Sequence, residues 1–254
     1  MTARRWHTVP VPSLAVVSLA ERPELTDAFW SVPGDWPEFM LQDPVSATRY
    51  GDAVDRHPDL HLVLLEDDEP VGRLHAVPVR WPGPDALPVR GWDWALEQGV
   101  DDPPAELTAV SLIEARLAPQ HRSRGLSRVL LAAARERCAR AGVVDLLAPV
   151  RPAAKAAEPT TPFAEYVHRQ RPDGLPADPW IRVHARAGGV LAGVAPLSMT
   201  IPGTLAQWRA WTGLALDTDG PQVVPGALVP VHVDTAQDHA VYVEPNVWVH
   251  HRLG

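Results

Sequence analysis

The pattern of apolar and polar positions changes period between Leu107 and Ala141, and the rest of the chain is organised around that change. From Leu107 to Leu117 the residues read as a strand. A turn follows at Ala118-Pro119, then a basic loop of Gln120, His121, Arg122, Ser123, Arg124 and Gly125. Beyond it, Leu126, Val129, Leu130, Ala133, Ala134, Arg137, Cys138 and Ala141 recur at three- and four-residue spacing. That spacing makes one apolar stripe and predicts a helix. Gly142 supplies its C-terminal stop.

The same reading extends in both directions. Leu14–Leu19 is β-capable, and a helical pattern through Trp30 follows Pro23. Gly34–Met40 is a break rich in bulky apolar residues. Asp43-Pro44 is an N-cap with proline at the first helical position, opening a helix to about Asp55. His61–Glu66 and Val71–Val79 form a hairpin around the Asp67–Pro70 turn. Trp81–Pro104, with Trp92 and Trp94, reads as a long proline-rich loop.

Past the central helix, Val143–Val150 is a buried-type strand and Phe163–Arg169 a short helix. Asp178 caps a helix over Ile181–Ala187, with Pro179 first and Gly188-Gly189 as the stop. Val190–Ile201 is strand-like, and Gly203–Gly213 is helical with Trp208 and Trp211. Ala227–Val233 and Ala240–Val243 are closing strands, and Glu244–Trp248 ends the ordered chain.

Composition narrows the function classes. The 254 residues are 46% hydrophobic and 21% charged, enough for a sizeable core. A net charge of −8 argues against a general nucleic-acid binder. Cys138 is the single cysteine and lies on the apolar helix stripe, so it reads as a buried structural thiol. No run of 18 apolar residues predicts a membrane span. Met1–Pro10 lacks an apolar leader, which makes the cytoplasm the expected location. His232, His239, His250 and His251 lack metal-ligand spacing. There is no Gly-x-Ser-x-Gly elbow and no phosphate loop ending in Gly-Lys-Ser/Thr.

The basic loop carries the chemistry. Positive side chains at a helix start oppose the helix dipole, by roughly 0.3–1 kcal/mol per charge. A bound anion accounts for them: backbone N–H groups there favour phosphate, and Arg122, Arg124 and Arg128 add charge. Gly125 lets the backbone approach closely.

Arg122-Ser123-Arg124-Gly125-Leu126-Ser127 resembles the pyrophosphate loop of the GCN5-related N-acetyltransferases, written Q/R-x-x-G-x-G/A. Leu117-Ala118-Pro119 resembles the strand end that leads into it. Ser127 departs from the family's Gly or Ala but is still small. The resemblance implies an α/β fold with a mixed, twisted sheet split between its fourth and fifth strands. It implies one domain over 1–254, with a core of about 10–200 and residues 201–254 as extra C-terminal strands packed on it. It also implies acyl-coenzyme A or an acyl-phosphopantetheine arm as co-substrate, with no tightly bound cofactor. Leu117 and residues Arg122 to Ser127 would hold that thioester, the Leu117 backbone pairing with the pantetheine amides.

Further roles follow from the resemblance. Val183-His184-Ala185-Arg186-Ala187-Gly188 matches a segment whose tyrosine protonates the leaving thiolate, so His184 takes that place. Arg151, after the fifth strand, would hold an acidic acyl group or a carboxylate substrate. Ser111 stands about where histone-type relatives have a glutamate base, and serine is a poor base. Strand alternation sets Glu114 on the face opposite Ser111 and Leu117, as a paired carboxylate. His75, Tyr166 and Trp180 read mainly as packed residues. The implied activity is N-acyl transfer to a small-molecule amine, as in bacterial biosynthetic clusters, by a monomer or homodimer. An acyl carrier protein is a possible partner, nucleic acid and membrane are not. The alternatives are a decarboxylating loading domain for malonyl thioesters and a non-catalytic thioester-binding module.

Overall fold

A computed structural model describes residues 13–254, so the expectation placed on Met1–Pro10 lies outside the described residues. Nine strands among them form one sheet. Its order is β1 (Leu14–Ser18), β2 (Leu62–Glu66), β3 (Glu69–Pro78), β4 (Ala109–Leu117), β5 (Asp145–Val150), β9 (His239–Arg252), β8 (Val231–Asp234) and β7 (Gly220–Gln222). The remaining strand, β6 (Val190–Thr204), also pairs with β9. The pairings are antiparallel except for β4 with β5, which is parallel.

That parallel pairing is short. It joins Ala109 to Asp145, Val110 to Leu146 and Ser111 to Leu147, and then stops. Beyond it β4 stays with β3 as far as Leu117 opposite Gly72, while β5 stays with β9 as far as Val150 opposite Val247. The sheet therefore forks above Ser111 and Leu147, leaving Leu112–Leu117 without a strand on that side. This is the split expected between the fourth and fifth strands.

Helices cover both faces. On one side lie α4 (Leu126–Arg140), α5 (Phe163–Val167) and α6 (Pro179–Arg186). Leu126, Leu130, Leu131, Ala134 and Cys138 of α4 are buried against Leu62, Leu74, Val110, Leu112 and Leu146. Each fully buried leucine of that stripe contributes about 1.5–3 kcal/mol. The other side carries α2 (Pro44–Arg56) and α3 (Gly91–Asp101), whose Ala53, Ala95, Leu96 and Val100 pack on Val77, Ile113, Leu147 and Trp248. Phe29 of α1 (Thr26–Ser31) closes a cluster with Val54 and Val63, and Trp208 of α7 (Leu205–Thr212) packs on Tyr242 and Ile201.

Three differences from the sequence reading matter. First, the stretch read as a long loop, Trp81–Pro104, contains α3. Its buried Ala95, Leu96, Gly99 and Val100 have helical spacing, masked by the prolines on either side. Second, the final strand runs past Trp248 to Arg252 and lies beside β5 in mid-sheet. The segment after residue 200 is therefore built into the centre of the sheet rather than laid on a finished core. A strand covered on both faces has no alternation to announce it. Third, the β3–β4 register slips between His75 and Ala76, so Ile113 has no partner. That bulge puts Ile113 and Glu114 on the same side, so Glu114 stays opposite Leu117 as expected but joins the face of Ser111, against the alternation expected from spacing. Glu114 thus shares the α2–α3 face with Ile113, while Leu117 packs with the α4 cluster.

Candidate active site

The basic loop sits where β4 ends. Ala118 N–H donates to the Val71 carbonyl, a short 3-10 turn spans Pro119–His121, and α4 begins at Leu126. Gly125 is its N-cap at φ +79°, left-handed backbone that favours glycine. A Cβ there would stand 2.8 Å from the Arg128 guanidinium, which folds back over the loop. The α4 start has neither a side-chain cap nor an acidic residue in its first turn. By contrast, Asp43 caps α2 and Asp178 caps α6. Arg122 makes a bidentate pair with Asp35 at 2.7 and 2.8 Å, and Arg124 pairs with Glu66 at 2.5 and 2.8 Å.

On the α2–α3 face, beside the free half of β4, Glu114 collects four side chains. Arg73 Nε donates at 2.8 Å, Arg116 at 2.7 and 3.0 Å, Tyr50 Oη at 2.8 Å and Trp36 Nε1 at 2.9 Å. Burial pushes this carboxyl up, but the charges of Arg73 and Arg116 outweigh it and hold the group below the usual carboxylate range. Glu114 is therefore the paired strand carboxylate expected, a charged anchor for the loop after α1. Burial, and then Glu114, pushes the Tyr50 phenol well above its ordinary value. Trp92 Nε1 donates to the carbonyl of the bulged Ile113 at 2.9 Å.

Across the fork stands Arg151. Its Nε lies 3.0 and 3.1 Å from the Glu244 carboxylate, and a second nitrogen donates to the Gly226 carbonyl at 2.6 Å. Its guanidinium covers the Trp36 ring at 5.3 Å. Glu244 is fully buried and also accepts from Tyr242 Oη at 3.0 Å and Asn246 Nδ2 at 3.2 Å. Trp36 therefore bridges the mouth, bonded to β4 on one side and stacked under Arg151 on the other. Sequence reading passed over Trp36, Tyr50, Tyr242 and Glu244; the bulky break at Gly34–Met40 was the one local sign.

His184 is on the other face, away from this cluster. It is 1% exposed, and its Nδ1 is 3.0 Å from Nε2 of His251 on β9. Trp180 meets it edge-on at 4.7 Å. Burial, with some help from His251, takes its pKa down to about 3. Burial thus favours the uncharged imidazole near pH 7. Ser111 is buried at the fork's apex, with one weak bond of 3.4 Å to the Leu112 carbonyl. His75 is packed between His61 and Tyr50, and Tyr166 donates to Asp178 at 3.0 Å. Cys138 is buried, its thiol pushed up to about 11 by burial. Among the described residues no cluster of metal-ligating side chains occurs.

A sheet forked between its parallel strands, with an uncapped basic helix start at the open end, is the arrangement that the resemblance of the basic loop to acyltransferases implied. No family model matches the chain. A curated relative, the arginine N-acetyltransferase avaD of Aspergillus versicolor, is 32% identical over 276 residues, covering 95% of each chain. Two solved structures share the fold. The loading domain of CurA from Lyngbya majuscula has a TM-score of 0.59 at 17% identity, covering 96% of this chain and 98% of its own. The GphF decarboxylase, in complex with isobutyryl-CoA, has a TM-score of 0.54 at 19% identity, covering 95% and 100%. The chain belongs to the GCN5-related N-acetyltransferase superfamily.

Proposed function

We propose that this acyltransferase moves an acyl group from a coenzyme A thioester to the amine of a small acceptor that also carries a carboxylate. The fork between β4 and β5, opening on the uncapped start of α4, carries the reading. Arg122, Arg124 and Arg128 would meet the pyrophosphate, together with the backbone from Ser123 to Ser127. The free edge of β4 at Leu117 would pair with the pantetheine amides. A phosphopantetheine arm on a carrier protein presents the same thioester, so both donors belong in the test.

The acceptor side supports a carboxylate ligand. Three arginines, Arg73, Arg116 and Arg151, face two carboxylates, Glu114 and Glu244. One guanidinium nitrogen of Arg151 has no partner among the described residues, and the side chain is 20% exposed at the mouth. An amino acid fits this surplus of positive charge, and the relative's substrate, arginine, is the first candidate. In the reaction the amine nitrogen attacks the thioester carbonyl. A C–N bond forms and the C–S bond breaks, and the proton lost by nitrogen balances the one gained by the thiolate. Holding both reactants in one cleft supplies much of the rate.

Intact mass spectrometry tests this. The chain is incubated with acetyl- and malonyl-coenzyme A, each also loaded on a carrier protein, and with a panel of amines including arginine. Acylated amino acid is the expected product. Loss of carbon dioxide from malonyl without transfer would replace this reading with the decarboxylating one. Thioester binding without any product would replace it with the binding module.

A further inference from the structure

We propose that Arg135 and His251 are positioning residues that fix His184 as a neutral imidazole with its proton on Nε2, beneath the apex of the fork. The argument runs along hydrogen-bond directions. A guanidinium has donors and no acceptor. Arg135 of α4 lies 2.7 Å from Nδ1 of His251 and also holds the neighbouring Ala187 carbonyl, so we take Nδ1 as the bare, accepting nitrogen. A neutral ring with a bare Nδ1 carries its proton on Nε2. The His251 Nε2 is the atom 3.0 Å from His184 Nδ1, so it donates and His184 Nδ1 accepts. One nitrogen remains for the proton of His184, namely Nε2.

The Nε2 atom of His184 has no hydrogen-bond partner among the described residues. His184 as a whole is 1% exposed. His251 is in register with Leu146, one row before the β4–β5 pairing ends at Leu147. This puts the relay under the apex of the fork. Arg135 is nine residues into α4, about 13 Å along the helix from the phosphate-binding start.

The surroundings hold the relay in place. Arg135 also donates to the Ala187 carbonyl at the end of α6, tying the helix that carries His184 to α4. Gly189 makes room for the ring: a Cβ there would stand 2.6 Å from Cε1 of His251. The charged and titratable neighbours are Arg135 on α4 and His250 on β9. Asp145 of β5 is engaged by His250 at 2.8 Å and does not reach the relay. Burial, and next the cation of Arg135, takes His251 down to about 4, which agrees with two uncharged rings.

A neutral Nε2–H does not hand over its proton at pH 7. It steadies negative charge developing on the thioester through a preset hydrogen bond. This role rests on the acyl-transfer reading; the tautomer does not. The test has two arms. Long-range 1H–15N spectra of ring-labelled histidines in the full chain, assigned with His184→Gln, read the tautomer from pH 5.5 to 8.5. The Nε2–H form at constant shift is expected, and Arg135→Met should release it into mixed tautomers that titrate. In turnover, His184→Ala should lose about 10²–10³ in kcat, the scale of a removed oxyanion donor. His184→Gln keeps an N–H and should stay within roughly tenfold of wild type by the same reasoning. An imidazolium or an Nδ1–H tautomer at pH 7, or a Gln variant as slow as the Ala variant, would overturn the proposal. If no amine is acylated at all, the acyl-transfer reading falls, and the spectrum alone decides the relay.

Discussion

Glu114 shows how a single residue organises the mouth. A buried charge is costly unless it is paired and hydrogen-bonded. Here two arginines, a phenol and an indole meet it, so the carboxylate fastens α2, β3, β4 and the loop after α1 together. Glu114→Ala leaves Arg73 and Arg116 facing each other without a counter-charge. We expect a loss of about 3–5 kcal/mol in denaturant unfolding, with turnover falling alongside. Arg151→Met is expected to act differently. One of its nitrogens has no partner among the described residues, so the acceptor's KM should rise by on the order of tenfold or more, the loss of about 1.5–3 kcal/mol from one charged hydrogen bond. The thioester's KM should stay near wild type. An equal rise in both would dismiss Arg151 as the carboxylate's holder. The positions of Glu114 and Arg151 near the split were legible from the strand–loop–helix order. Their partners were not, because Trp36, Arg73 and Glu244 come from distant parts of the chain.

At the scale of elements, helix starts separate structural from ligand-binding ends. Asp178 accepts from Trp180 and Ile181 within α6, and also from Ala153, Ala154 and the Tyr166 hydroxyl. Asp178→Ala therefore loses a cap and several loop bonds together. A fall of about 2–4 kcal/mol is expected, measurable as a lowered unfolding midpoint. The start of α4 is expected to respond in the opposite way to ligand. Gly125→Ala forces a side chain into left-handed backbone at about 1 kcal/mol and crowds Arg128. Calorimetric titration with acetyl-coenzyme A should then show weaker binding, while the unliganded midpoint shifts only slightly. The caps at Asp43 and Asp178, the hairpin and the α4 stripe could all be read locally, since each depends on residues within a few positions. The α3 helix could not, because prolines on both sides broke up the window in which its period repeats.

For the whole molecule, buried titratable groups shape stability against pH. Burial takes His184 to about 3 and His61 and His251 to about 4, and lowers His75 well below its ordinary value. Unfolded, each binds a proton below about pH 6.5. The unfolded state then holds more protons, so stability should fall as pH drops from 6.5 towards 4. Asp93 has the opposite sign. Burial, then Asp43, raises it to about 8, so the folded state keeps a proton that the unfolded chain releases near pH 4. Its contribution therefore weakens as pH rises from 4 through 8. The four histidines outweigh one aspartate on the acid side, which puts the maximum near pH 6.5. Urea midpoints taken from pH 4 to 9 check this. Asp93→Asn should raise stability at pH 8 by on the order of 2 kcal/mol and leave pH 4 unchanged. A midpoint that keeps rising above pH 8 in the wild type would contradict it.

By itself the sequence determined the periods of the central strand and helix, the helix caps, the hairpin and the basic loop. These are local choices, set by side-chain spacing and backbone preference over fewer than about fifteen residues. Through the resemblance of that loop it also pointed to the forked sheet. Tertiary structure alone decided which face Glu114 occupies, because a one-residue bulge at Ile113 is visible only in its pairing with β3. It decided that β9 lies in mid-sheet, and that His184 meets His251, 67 residues further along the chain. Such contacts follow from strand order and register, which no local pattern encodes, and they set both the charge and the proton position of the groups around the fork.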